Sequence, residues 1–181
     1  MIEFKDLWRG HPINESVQMP CIAPADVVSV EKKPVKKGYP VYANQCAIRM
    51  GVALRRAGVR ESQLAGVAHC GVHPREQMHF INANQLANAI ARANLPGFGP
   101  LEKITGTEAA HFYPKLYGRT GVIYIQDYWR RAGESAKATG DHIDVWNGFR
   151  SSSKWLMEWF SWLGYTSNYA DAGEIWFWEV K

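Results

Sequence analysis

The sequence predicts an α+β fold in which a central helix packs on an antiparallel β-sheet, and three observations carry that reading. Helical patterns come first, between about residues 44 and 117, led by the apolar stretch "ANQCAIRMGVALRRAG" at residues 43–58. The pattern then changes to the β-branched and aromatic run "GVIYIQDYW" at residues 121–129. Last, "DHIDVWNGFRSS" reads as a hairpin about Asn147-Gly148, which makes the sheet antiparallel.

At 181 residues and 46% hydrophobic content the chain is long enough to bury one core, and it is expected to form one domain over residues 1–181. Its 16 glycines and nine prolines are spread along the chain, so composition marks no linker. The net charge of +4 makes a mildly basic surface that favours anionic partners. Lys32, Lys33, Lys36 and Lys37 form the one dense run and read as a solvated face. No basic stripe or recognition motif points to nucleic acid. No stretch approaches the roughly 18 apolar residues of a membrane span, and "MIEFKDLWRGHPINESV" lacks the apolar segment of a signal peptide. Synthesis in the cytoplasm is expected, with any action outside it requiring another export route. Three cysteines are too few for a disulfide framework.

Taken in order, residues 1–43 are expected to be irregular, because Pro12, Pro20, Pro24, Pro34 and Pro40 forbid a long helix. Asn44 can cap the helix that follows, Cys46 falls in its first turn, and Gly58 stops it. Apolar residues cover most of its circumference, so it should be buried. A short helix is expected over 61–68, a longer one over "INANQLANAIARAN", and a third over 107–117. Strands follow at 121–129 and in the hairpin. An aromatic helix at 153–163 and the strand "EIWFWEV" close the chain.

Alternate strand residues share a face, so His142, Asp144 and Trp146 point toward solvent or a cleft while Ile143 and Val145 enter the core. With a two-residue turn, Trp146 pairs with Phe149 and Ser153 falls opposite His142. His142 then has two polar neighbours, Ser153 across the ladder and Asp144 along the strand. Cys46 meets the needs of a thiol nucleophile: free N–H groups at a helix start favour a thiolate and an acyl oxyanion, and His142 can move the proton. By residue type alone, a single cysteine is more often a packed core residue and a strand carboxylate is more often solvated. "HCGVHPREQMH" gathers His69, Cys70, His73 and His79, but the spacing matches no common zinc pattern, so no metal or cofactor is expected. Cys70 as nucleophile with His73 or His79 as base lacks a helix start to activate the thiol. Trp155, Trp159 and Trp162 recur at helical spacing and read as a core stripe.

Together "ANQCAIRMGVAL", "GVIYIQDYWRR", "TGDHIDVWNG" and "EIWFWEV", with "HCGVHPREQMHFINANQLANAI" between them, resemble the fourth family of amidase effectors delivered by bacterial type VI secretion. The resemblance implies a papain-like fold of the NlpC type. It also implies cleavage of the amide between D-glutamate and meso-diaminopimelate in peptidoglycan stem peptides, with Cys46 as nucleophile and His142 as base. The family's orienting aspartate lands at or near Ser153, where this chain departs from the pattern. A serine hydroxyl can fix the imidazole tautomer but brings no negative charge, which leaves Asp144 as the other candidate for third residue. The family further implies delivery by the secretion apparatus to a neighbour's periplasm, and a cognate immunity protein. A catalytically silent binding module of the same fold is the alternative.

Overall fold

In the computed structural model, which describes residues 1–16, 18–129, 140–152 and 173–181, the chain begins with a helix where irregular structure is expected. α1 spans Phe4–Gly10, ahead of the first proline, with Asp6 in its first turn and Arg9 in its last, each matched to the helix dipole. Its Leu7 is fully buried. The prolines shape what comes after: residues 18–43 run irregularly except for a ribbon of β1 (Val27–Val28) and β2 (Pro34–Val35). The lysines of this ribbon are exposed, and Lys36 pairs with Asp26 at 2.8 Å.

α2 spans Cys46–Arg56, and its buried residues run from Cys46 to Leu54 with only Arg49 excepted. Asn44 Oδ1 accepts from the Cys46 N–H at 3.1 Å, so the expected cap serves the first helical residue. Gly51 lets α2 lie against the segment around Met78: a Cβ there would stand 2.0 Å from the Met78 carbonyl oxygen. A single 3₁₀ turn at Glu61–Leu64 replaces the expected helix at 61–68. α3 (Ala83–Ala93) forms as read, with Asn82 accepting from the Gln85 N–H and Asn94 left-handed at the end.

Four strands form one antiparallel sheet in the order β3 (Phe98–Thr105), β6 (Glu174–Val180), β4 (Gly121–Trp129), β5 (Gly140–Trp146). β3 escaped the sequence reading because its alternation is broken by Pro100, Glu102 and Lys103. Its place at an end of the described sheet tolerates both a proline and charges. The expected helix at 107–117 is two pieces, a 3₁₀ stretch Gly106–His111 and α4 (Tyr113–Leu116), separated at Phe112, with Pro114 in the first turn of the second. β6 is apolar on both sides because both sheet faces are covered. Trp176, Trp178 and Val180 meet α2 and α3, whereas Ile175 and Phe177 meet Ala109, Phe112 and Leu116.

The hairpin departs from the expected two-residue turn. Trp146 bridges Ser151, not Phe149, so the connection has four residues. Asn147 Oδ1 accepts from the N–H groups of both Phe149 and Arg150, and the Gly148 carbonyl accepts from Gly118 N at 2.9 Å, which holds the wider loop against the chain before β4. Gly148, at φ +93°, supplies the left-handed residue. The pairing therefore slips by two residues, and it is Ser152 whose N–H donates to the Val145 carbonyl. Ser153, the aromatic helix at 153–163 and Trp155, Trp159 and Trp162 lie outside the described residues.

Because Gly51 is the close contact between α2 and its support, Gly51→Ala should lower stability by about 2 kcal/mol. Thermal melting would then show a drop in Tm of roughly 4–8 °C.

Candidate active site

Three chain segments meet at the start of α2. α2 presents Cys46, β5 presents His142 and Asp144, and the residue just after α1 is His11. Cys46 and His142 are 7% and 4% exposed, and the two side chains are close enough to shift each other's ionisation. The thiol also lies 3.9 Å from the Asp141 carbonyl oxygen, which ties it to the start of β5.

Asp144 is buried, contrary to the solvated position expected for a strand carboxylate. Burial becomes tolerable because donors surround it. Oδ1 accepts from the Val145 N–H at 2.8 Å, from the Ser152 hydroxyl, and from His11 Nε2 at 3.3 Å. Oδ2 faces His142 Nε2 at 3.4 Å. Three donors on one oxygen turn the other toward the imidazole, and that orientation holds the His142 ring with its remaining nitrogen available to the thiol.

The electrostatics follow from this chain of contacts. Burial alone would raise the Asp144 pKa, but the His142 hydrogen bond, the positive charge His11 can carry and the Ser152 hydroxyl hold it well below the ordinary carboxylate range. Burial alone would lower His142, yet its bonds to Asp144 and Cys46 hold it up at about 9. Burial likewise opposes ionisation of Cys46, and the His142 hydrogen bond and charge, with the N–H groups of Ile143 and Ala47, outweigh it and bring the thiol below its usual value. The geometry thus favours a thiolate beside an imidazolium backed by a carboxylate.

His11 is the member that sequence reasoning missed. Its segment was read as irregular, and a histidine preceding a proline carries no spacing relative to β5 that a sequence shows. Nδ1 accepts from the Ile13 N–H at 3.4 Å, which leaves the ring proton on Nε2, facing Asp144. Burial depresses its pKa to about 4, so at neutral pH it serves Asp144 as an uncharged donor. Ser152 is the second residue missed, one position before Ser153. The two-residue slip of the hairpin brings its hydroxyl to Asp144.

The rival cluster divides. His69 turns away to Glu61 Oε1 at 3.1 Å and packs edge-on against Phe80. Cys70 is buried outside any helix, with its N–H donating to the His79 carbonyl, so no helix start activates it. His73 and His79 stay with Cys70 and are joined by Cys21.

With the site defined, comparison with known proteins places the chain. The effector from the Tae4/Tai4 effector–immunity system of Salmonella typhimurium, in a selenomethionine variant, is similar with a TM-score of 0.60 at 14% identity, over 100% of this chain and 99% of that one. The same effector bound to the immunity protein of Enterobacter cloacae gives 0.57 at 12% identity, over the whole of both chains. An effector–immunity complex from Enterobacter cloacae gives 0.54 at 16% identity, over 100% of this chain and 99% of that one. These likenesses carry the fold, which is the papain-like α+β fold of the NlpC type. A search of curated proteins by sequence finds no match. The model of type VI secretion system amidase effector protein 4 matches residues 42–178, and the chain belongs to that amidase effector family.

Proposed function

We propose that this amidase hydrolyses the amide between D-glutamate and meso-diaminopimelate in peptidoglycan stem peptides, through an acyl-enzyme on Cys46. The buried series Cys46, His142, Asp144, with the thiol at the start of β5 and the carboxylate 3.4 Å from His142 Nε2, is the observation that carries the reading. The Cys46 thiolate attacks the amide carbonyl carbon, and the oxyanion forms at the N-terminus of α2. His142 gives its proton to the diaminopimelate nitrogen as the carbon–nitrogen bond breaks, leaving a thioester. Water then attacks the thioester while His142 takes the water's proton. The glutamyl carboxylate leaves and the thiolate–imidazolium pair returns. Cys46 N–H already donates to Asn44 Oδ1, so Asn44 must release it before that N–H can receive the oxyanion.

In this reading Asp144 is the third residue, and His11 and Ser152 position it. A carboxylate on the same strand as the base supplies the negative charge that Ser153 lacks, which favours an active enzyme over a silent binding module. The protein is exported by the type VI apparatus and acts in the periplasm of the target cell. A cognate immunity protein covers the cleft in the producer, as the effector–immunity complexes of similar fold suggest.

Purified protein should split muropeptides between D-glutamate and diaminopimelate, read by mass spectrometry, and Cys46→Ala should not; equal cleavage by that variant would remove the mechanism. Asp144→Asn should reduce kcat/KM by roughly 100-fold or more. It should also slow alkylation of Cys46 at pH 6 by about tenfold, as expected when a thiol loses a unit of pKa depression.

Stability should fall on the acid side, because unfolded His11 binds a proton near 6.5 and folded His11 near 4. The unfolded chain holds more protons across that interval, so stability present above 6.5 is lost as the pH falls through 4, by roughly 3 kcal/mol. Urea unfolding at a series of pH values should show this fall. His11→Gln, which can keep a donor but does not titrate, should flatten it.

A further inference from the structure

We propose that Cys21, Cys70, His73 and His79 form a closed, structural zinc site behind the catalytic helix. Sequence spacing hides it, since Cys21 arrives from an irregular segment 49 residues before Cys70 and takes the place that spacing alone offered to His69. One ligand atom from each of the four residues lies within 4.8 Å of all the others. His73 Nδ1 stands 3.6 Å from Cys21 Sγ and 3.4 Å from Cys70 Sγ. Four ligands around a tetrahedral zinc, at about 2.3 Å for sulfur and about 2.0 Å for nitrogen, sit about 3.3–3.8 Å from one another. The cluster needs only small adjustments to close on an ion.

Two further observations favour a metal over ordinary packing. His79 is 5% exposed, and its Nδ1 is the one buried side-chain polar atom, among the described residues, without a hydrogen-bond partner. A buried imidazole left in that state costs about 1–3 kcal/mol, whereas metal ligation uses the ring as a donor of electrons. Chemistry then selects the ion: two thiolates and two imidazoles, with no carboxylate, suit zinc and not magnesium or calcium. Two thiolates also neutralise its charge, which suits burial of Cys21 and Cys70 among Ala23, Val41 and Ile48.

The surroundings provide the second set of contacts that metal ligands need. Gln45 Oε1 accepts from the Cys21 N–H at 2.9 Å, and its Nε2 donates to the Cys21 carbonyl at 3.2 Å. Tyr42 donates to the Cys70 carbonyl at 3.0 Å. Gln45 directly precedes Cys46, so the ion would pin the Cys21 segment and the 70–79 loop to the base of α2. Its role is structural, because all four ligands come from the protein and none belongs to the catalytic series.

The test is metal content of the full chain, purified with a thiol reductant and without chelator. About one zinc per chain is expected by mass spectrometry. Replacement by cobalt should give the thiolate charge-transfer and visible bands of a tetrahedral Co(II) site. Cys21→Ser should cut the metal at least tenfold. So should His73→Gln, a half-exposed loop position where misfolding is not at issue. Cys46→Ala should keep it in full. Failure of the reduced chain to take up zinc or cobalt would overturn the proposal, as would uptake that neither ligand variant changes. A Cys21–Cys70 disulfide persisting in the reduced protein would do the same.

Discussion

A single buried carboxylate organises the centre of this protein. Asp144 sits in β5 with four donors among the described residues aimed at it, from its own neighbour Val145, from Ser152 across the turn, from His11 after α1, and from His142 two residues back. Such a charge is stable in an apolar interior only while those donors stay in place. The carboxylate therefore fixes three things at once: the width of the hairpin turn, the docking of α1, and the orientation of the His142 ring. Removing one donor leaves the rest of the group under strain from an unsatisfied charge, which couples parts of the chain that are far apart in sequence.

The sheet makes this arrangement possible because it is covered on both faces. α2 and α3 bury the side that carries Ile143 and Val145, and the 106–116 segment buries the side that carries Ile123, Ile125 and Trp146. Trp146 donates from its indole to the Leu116 carbonyl at 3.0 Å, so the end of β5 is locked just beyond Asp144. With β5 held at both its partner strand and its turn, His142 has little freedom to leave the thiol. The near-contact of Gly51 with Met78 performs the matching service for α2. Helix and strand are each clamped from behind, and the thiol and imidazole meet between them.

Some of this was legible in the residues alone. The β-branched and aromatic runs of β4 and β6, the alternation in β5, the buried circumference of α2 and the Asn and Gly signals at its ends are local properties, and local patterns survive into the fold. Cys46 at the helix start and His142 on a strand were both readable, and the structure brings them into contact. Asp144 was in view but undervalued, because a carboxylate in an alternating strand looks solvated until the covering segment is known. β3 was missed for a related reason: Pro100, Glu102 and Lys103 obscure the alternation of a strand at one end of the described sheet.

By itself, the sequence determined the α+β class, placed Cys46 at a helix start and His142 on a strand, and carried the resemblance to the family. Only the tertiary structure decided which groups stand behind them. His11 acts across a long separation and Ser152 across the hairpin turn, and their partners are set by how α1 and that turn pack, not by any spacing in the chain. A two-residue change in loop length shifted the hairpin register and brought Ser152 to Asp144. That kind of outcome depends on hydrogen-bond satisfaction in a closed interior, which no local pattern encodes.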